Sequence, residues 1–145
     1  MDLDRNDSAG YLTNWAARLF AREADRKLAA LGLSSGHLPV FFALGSGQAL
    51  SQRELARIAA VEQPTMAATL TRMERDGLIR RKPDPSDGRS ALVFLTPAAL
   101  KKAAEVRKIV MAINGEALGG LNGEEKALFL QMLKRVITAL EQGAD

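Results

Sequence analysis

Basic side chains are concentrated in one stretch of this chain, DGLIRRKPDPSDGRSALVFLT, which covers residues 76–96. Arg80, Arg81 and Lys82 are consecutive, and Arg89 follows a run of turn-forming residues. Guanidinium and ammonium groups carry a fixed positive charge and several hydrogen-bond donors, which suits them to phosphate. A run of charges in isolation is most often a solvated hairpin, so the neighbouring elements must decide whether this one binds anything.

The surrounding sequence predicts a mainly α-helical fold with one small β-hairpin. Apolar residues recur at helical spacing, and each periodic segment begins or ends at a recognisable capping residue. Six helices are expected, with the hairpin inserted after the fourth. They are predicted over 11–31, from Ser34 or Ser35 to 44, from Ser51 to about 60, over 64–76, from Thr96 to about 118, and from Asn122 to about 140.

The third predicted helix opens with the sequence SQRE, a capping box. In such a box the Ser51 hydroxyl and the Glu54 carboxylate each satisfy a free backbone amide of the first turn. Leu55, Ile58 and Ala59 are predicted to point inward from this helix. The pattern therefore indicates a short helix with a well-defined start.

The fourth predicted helix begins at Pro64 and carries Met66, Leu70 and Met73 on one stripe. If that stripe packs on the core, a mixed polar face points to solvent. Threonine and glutamine can bond base edges, alanine permits close approach, and arginine suits guanine or phosphate. Solvated helix residues remain the alternative interpretation of this face. Its members are Thr65, Ala68, Thr69 and Arg72, with Gln63 at the helix start and Arg75 farther along.

Leu78–Lys82 and Ala91–Leu95 are β candidates, separated by an eight-residue polar tip that should be longer than a tight turn. Two short helices followed by a hairpin form the layout of a winged helix-turn-helix, whose second helix enters the DNA major groove. The basic residues of the hairpin would then form a protruding cationic rim suited to the phosphate backbone and a narrow minor groove. Asp87 is interpreted as an internal partner that holds Arg89 or a nearby backbone amide.

Bulk properties exclude several other classes of protein. The chain has 145 residues, 47% hydrophobic residues, a net charge of +3 and no cysteine, so disulfides and thiolate metal sites are excluded. One histidine without cysteines predicts no metal site, and no cofactor motif is present. The N-terminus lacks the apolar core of a signal peptide, and no membrane-length apolar run occurs. We expect a cytoplasmic protein that is not an enzyme.

The segment from Ser51 to Thr96 resembles the DNA-binding core of the MarR family of bacterial transcriptional regulators. The resemblance rests on a helix running into GLIRR, an Asp-x-Arg tip at residues 87–89, and a strand ending in Leu-Thr. It implies an obligate homodimer with interlocked terminal helices on a pseudo-palindromic operator. It also implies that Arg89 enters the minor groove and that Asp87 braces the tip. Ala67 and Ala68 replace residues that are often polar or basic in the family, so fewer base contacts are expected.

Three regions are expected: an N-terminal dimerisation helix (1–34), the winged helix-turn-helix domain (35–96) and C-terminal dimerisation helices (97–145). The long outer helices have more apolar residues than a lone small domain needs, which favours pairing between subunits. A repressor function follows from the family resemblance, and a winged-helix module that binds protein is the alternative. The predicted DNA-contacting residues are Ser51, Gln52, Gln63, Thr65, Ala68, Thr69, Arg72, Arg75, Arg80, Lys82, Asp87 and Arg89.

Members of the family commonly lose DNA affinity when a small anion, often aromatic or phenolic, binds between the dimer helices and the winged domain. A tryptophan beside an arginine can stack on and pair with an aromatic carboxylate. The alternative is that the aromatic residues belong to the core and that the arginine forms a surface ion pair. The candidate effector-binding residues are Trp15, Arg18, Leu19, His37 and Phe41.

Overall fold

A computed structural model describes residues 2–143. Residue 1 of the predicted N-terminal region (1–34) and residues 144 and 145 of the predicted C-terminal region (97–145) lie outside the described residues. Helices and a small antiparallel sheet make up the described chain, in agreement with the predicted fold class. Short 3-10 turns at Ala29–Leu31 and Ser35–His37 join the first two helices. The elements are α1 (Ala9–Leu28), α2 (Leu38–Leu44), β1 (Leu50–Ser51), α3 (Gln52–Ala59), α4 (Gln63–Arg75), β2 (Ile79–Asp84), β3 (Asp87–Leu95), α5 (Pro97–Ala117) and α6 (Gly123–Gly143).

The chain divides into two compact units, Met1–Val110 and Met111–Asp145. The core of the first unit contains the predicted stripe of α4, since Met66, Leu70 and Met73 are all buried. Burying side chains of this size contributes about 1.5–3 kcal/mol each. This stripe therefore fixes which face of α4 is left for solvent.

Helix α3 starts at the predicted capping box. The Ser51 hydroxyl accepts from the Glu54 amide at 3.2 Å, and a Glu54 carboxylate oxygen accepts from the Ser51 amide at 3.3 Å. The prediction that Ile58 points inward is wrong, because its side chain is 45% exposed. Leu55 faces the core as predicted, the neighbouring Ala56 does so too, and Ala59 is half-buried. Ile58 lies about 100° around the helix from the mean direction of these three residues.

The hairpin formed by β2, the turn Pro85–Ser86 and β3 is called the wing below. Its strands reach almost to the tip, so the predicted eight-residue loop is wrong. Two hydrogen bonds close the turn, since the Ser86 amide and hydroxyl donate to Asp84 at 2.9 and 2.8 Å. A shift in register after Pro83 accommodates the extra residues of β3.

A third strand, β1, was not predicted, because two residues are too short to show an alternating pattern. It pairs with β3 through Leu50–Val93 and Ser51–Leu92, giving the strand order β1-β3-β2. The pairing joins the start of α3 directly to the base of the wing.

Thr96 ties α4, the sheet and α5 together at one point. Its hydroxyl donates to the Gly77 carbonyl at 2.7 Å and accepts from the Ala99 amide at 3.2 Å, which makes it the predicted cap of α5. Its own amide donates to the Leu78 carbonyl at 3.0 Å. Gly77 has a φ of +74°, a conformation that glycine adopts without strain, and it lets the chain turn sharply from α4 into β2.

The second unit, Met111–Asp145, contains the end of α5 and all of α6. The predicted capping box is present, with the Asn122 amide donating to Glu125 and the Glu125 amide donating to Asn122, both at 2.9 Å. Helix α6 has no buried residue. Among residues 2–143, no single helix is both long and apolar enough to cross a membrane. The helical segments Ala9–Leu31 and Ser35–Leu44 reach that length and apolarity only when taken together, and the angle between them is 91°.

Candidate nucleic-acid interface

The outward face of α4 is polar at its N-terminal end and basic toward its C-terminal end. Gln63, Thr65, Ala68 and Arg72 are exposed, and Thr69 is half-buried. The Thr69 hydroxyl donates to the Thr65 carbonyl at 3.1 Å, so its hydrogen is already used within the helix. Thr69 can still offer its oxygen as an acceptor and its methyl group for apolar contact with thymine.

Two arginines near the end of α4 have different surroundings. Arg75 pairs with Asp76 at 3.3 Å, while Arg72 lies close enough to His37 to affect its ionisation. Burial lowers the pKa of His37, with Asp76 raising it and Arg72 lowering it. His37 is therefore neutral at pH 7, and its Nδ1 atom accepts the Ser34 amide at 2.9 Å. The ring thus caps a turn beside α4.

Carboxylates organise the tip of the wing. Asp87 accepts from the Arg89 amide at 3.0 Å, which is the backbone role predicted for it, and the Arg89 side chain is exposed. The Ser86 amide and hydroxyl hold the pKa of Asp84 below its ordinary value. Asp84 therefore stays ionised under neutral conditions and keeps the turn closed. The acidic residues of the wing shape its backbone, and Arg89 is left as the exposed cation at its tip.

The sequence suggested that the three consecutive basic residues of β2 form a single cationic rim, and this prediction is wrong. Neighbouring side chains on a strand point to opposite faces of the sheet. Arg80 and Lys82 share one face, where the Lys82 ammonium lies 5.6 Å from the centre of the Phe94 ring. Arg81 pairs in register with the buried Val93 and points to the other face, where its Nε atom lies 3.6 Å from Glu74.

Ser51 and Gln52 lie at the start of α3 and are half-buried. The Ser51 hydroxyl donates to the Glu54 carboxylate at 3.0 Å as well as accepting the Glu54 amide, so the capping box occupies it. Gln52 has no such role in capping. Of this predicted pair, Gln52 is the residue whose side chain is better suited to contact DNA.

Three of the five candidate effector residues, Trp15, Arg18 and Leu19, line a surface cleft of about 370 Å³. This volume lies within the range of small-molecule sites, about 300–1,000 Å³. The Arg5 guanidinium lies 5.0 Å from the centre of the Trp15 ring, and the Tyr11 ring meets Trp15 edge to face at 6.3 Å. The complete lining is Arg5, Tyr11, Asn14, Trp15, Arg18, Leu19 and Arg22.

The structure does not bring His37 and Phe41 to this cleft. Phe41 is only 5% exposed, and His37 caps the turn between α1 and α2. Arg5 and Arg22 also line the cleft and were not predicted from the sequence. Arg22 follows Arg18 by four residues, and this spacing places both on one side of a helix, so the sequence did contain a signal for it. Arg5 precedes α1 and gave no periodic signal.

No group of histidine, aspartate and glutamate residues within the described chain, 2–143, could hold a metal ion.

Comparison with known proteins places the chain among transcriptional regulators. The MarR family sequence model matches residues 31–90. The transcriptional regulator HosA of Escherichia coli O111:H- is 35% identical over 107 residues, which cover 74% of this chain and 79% of HosA.

Solved structures share the fold over nearly the whole chain. A probable transcriptional regulator from Pseudomonas aeruginosa is 28% identical, with a TM-score of 0.80 over 92% of this chain and 99% of that one. A mutant of MarR from E. coli, complexed with operator DNA, is 22% identical, with a TM-score of 0.83 over 94% and 99%. The PcaV regulator from Streptomyces coelicolor, in complex with its natural ligand, is 24% identical, with a TM-score of 0.84 over 97% and 99%. At these lower identities the last two show the fold alone.

The exposed face of α4 generates a first prediction. Thr65→Ala and Arg72→Ala should each change the ranking of DNA variants by about 1–3 kcal/mol per lost base contact. Competition binding against a set of single-base variants of a selected site measures the ranking. Thr71→Ala, an exposed threonine outside the predicted contact set, is the matched control. An unchanged ranking in both test variants would show that a different face of α4 meets the bases.

Proposed function

This chain belongs to the MarR family of transcriptional regulators, and we propose that it is a homodimeric repressor released from a pseudo-palindromic operator by a small-molecule ligand. The proposal is carried by one observation: an exposed, polar and basic face of α4 continues through a tight turn at Gly77 into a wing with an exposed arginine. The N-terminal half of α4 would enter the major groove, and Arg89 would enter the adjacent minor groove. Arg80 and Lys82 would lie along the phosphates.

A winged-helix module that binds protein is the competing function. The exposed basic residues of the wing argue against it, because they would have no role at an apolar interface. The salt dependence of the binding affinity separates the two classes. A protein that neutralises DNA phosphates releases condensed counterions, so its affinity falls as salt rises, whereas an interface with mainly apolar contacts releases none.

A second prediction tests DNA binding itself. Fragments of the source genome selected by the purified protein should bind with an affinity that falls steeply between about 50 and 200 mM salt. Arg89→Ala should weaken binding most on sites with a narrow A/T-rich minor groove. Fluorescence anisotropy on labelled duplexes measures both effects, and Arg107→Ala, an exposed arginine of α5, is the control. A flat salt profile, or an Arg89→Ala variant that binds all sites normally, would contradict the proposal.

The dimer is supported by apolar surface that the single chain leaves uncovered. Every residue of α1 from Ala9 to Phe20 is exposed, although this segment contains several large apolar side chains. Isolated surface residues of this kind need no explanation, but contiguous rows usually mark an interface. The exposed apolar side chains of α1 are Tyr11, Leu12, Trp15, Leu19 and Phe20.

Helix α6 shows the same feature on its own. Its apolar residues occupy one side, while Gln131, Lys134 and Arg135 lie on the opposite, polar side. An isolated helix with this pattern gains little stability until its apolar side is covered. We propose that the two outer helices cover their apolar sides against a second copy of the chain. The exposed apolar side chains of α6 are Leu128, Leu130, Met132, Val136, Ile137 and Leu140.

A third prediction tests this interface. Val136→Asp places a carboxylate at the centre of the apolar side of α6, and burying it should cost at least about 2 kcal/mol in each subunit. Sedimentation velocity should show a shift from dimer to monomer at micromolar concentration. Gln131→Asp, on the polar side of the same helix, should remain dimeric. A Val136→Asp variant that sediments as wild type would exclude α6 from the interface.

The cleft beside Trp15 supports an anionic aromatic effector. Arg5, Arg18 and Arg22 contribute positive charge to its lining, which includes no acidic residue, and Trp15 provides an aromatic face. Recognition helices of a dimer must lie one DNA turn apart, about 34–36 Å. The dimer would then have a DNA-binding conformation and one with a different helix spacing. A ligand that prefers the second conformation would weaken operator binding, at most by the ratio of its affinities for the two conformations.

A fourth prediction uses the single tryptophan of the chain as a probe. Benzoate should change the Trp15 fluorescence, and the uncharged benzamide should change it far less, because the arginines pair with a carboxylate. Arg18→Gln should raise the dissociation constant for benzoate by about tenfold, equivalent to one charged hydrogen bond. Equal responses to benzoate and benzamide would show that the cleft does not select anions.

A further inference from the structure

An ion pair connects the last turn of α4 to the middle of β2. The Arg81 Nε atom lies 3.6 Å from a Glu74 carboxylate oxygen, and the two side chains are 30% and 47% exposed. Neither residue belongs to the DNA-contacting set predicted from the sequence. The pair joins the two elements that would enter adjacent grooves.

The direction of Arg81 separates it from its basic neighbours. It shares a face of the sheet with Ile79 and Val93, which are both buried, whereas Arg80 and Lys82 point to the opposite face. A guanidinium directed toward α4 is poorly placed to follow the same phosphates as Arg80 and Lys82. Its partner on α4 is a carboxylate, which DNA would repel. Both features suit a contact within the protein.

We propose that Glu74 and Arg81 are positioning residues: their ion pair sets the angle between α4 and the wing, and thereby the spacing along DNA between major-groove and minor-groove contacts. The inference rests on the proposed function, because it assigns a role within that DNA-binding surface. The pair is a brace placed partway along the wing, between its base at Ile79 and its tip.

The length of the wing shows why such a brace would matter. Asp84 lies five positions after Ile79, and at about 3.3 Å of rise per position the tip lies roughly 17 Å from the base. A rotation of about 10° at the base then moves the tip by roughly 3 Å, about half the 6 Å width of the minor groove. The Thr96 hydrogen bonds hold the base of the wing, and the Glu74–Arg81 pair restrains its direction farther out.

The experiment is a double-mutant cycle with Glu74→Gln, Arg81→Gln and the double variant, measured on a selected operator. Loss of an exposed ion pair changes an equilibrium constant by up to about fivefold, and each dimer would contain two copies of the pair. We therefore expect each single variant to weaken binding by about three- to tenfold, with the double variant no weaker than either. The loss for Glu74→Gln is diagnostic, since removing a negative charge beside DNA would otherwise strengthen binding. Glu105→Gln, an exposed acid of α5, is the charge-matched control.

A second set of duplexes tests spacing directly. In these the A/T-rich tract that meets the wing is moved by one base pair relative to the half-site. The wild type and Glu105→Gln should discriminate between the native and shifted duplexes, and the Glu74→Gln and Arg81→Gln variants should discriminate several-fold less. Because this ratio compares two sites for one protein, general electrostatic effects on affinity cancel.

A third measurement needs no DNA. The chain contains no cysteine, so spin labels can be attached at Thr71→Cys on α4 and Gly88→Cys in the wing. Both positions are exposed, and a Cβ added at Gly88 meets no atom within 4 Å. Glu74→Gln should broaden the distribution of distances between labels within a subunit, and Glu105→Gln should not.

Several results would overturn the inference. If Arg81→Gln weakens binding and Glu74→Gln does not, Arg81 contacts DNA directly. If the ratio for shifted duplexes is unchanged, the pair does not set spacing. If the wild type binds no DNA, the proposed function fails, and the label distances decide alone: an unchanged distribution in Glu74→Gln rules out the brace, and a broadened one retains it.

Discussion

One buried hydroxyl group joins the parts of this protein that would act on DNA. Thr96 is 4% exposed, and its side chain bonds both the carbonyl that follows α4 and the amide that starts α5. Because a buried polar group without a partner destabilises the fold, these bonds fix the junction in one arrangement. Helix α4, the base of the wing and the start of α5 therefore share a common anchor. A displacement of α5 at this point would act on both of the elements that are proposed to contact DNA.

The wing shows how one strand can serve two purposes. Alternation along β2 directs Arg80 and Lys82 outward and Arg81 toward α4. The first two are available to a ligand, while the third belongs to the internal structure. At the tip, Asp87 uses its carboxylate on the backbone and leaves Arg89 exposed. The acidic residues of this basic hairpin thus define its shape, which accounts for their presence in a surface that is proposed to meet DNA.

Most of the fold could be predicted from local pattern. Helical periodicity and capping boxes located the helices, because both signals lie within a few consecutive residues. The buried stripe of α4 followed from spacing, and its identification left the opposite face as the candidate contact surface. The role of Asp87 in bonding a backbone amide was also local, since donor and acceptor are two residues apart. Family resemblance added the expectation of DNA binding, which composition could only permit.

What the sequence determined by itself was the type and order of the elements, together with the exposed residues of α4 and the tip. Tertiary structure decided the partners that are far apart in the chain. The pairing of β1 with β3, the bonds of Thr96 to Gly77, and the direction of Arg81 depend on contacts between separate elements. So does the gathering of Arg5 with Trp15 in one cleft. Periodicity describes one element at a time, whereas these contacts exist only once the elements have packed.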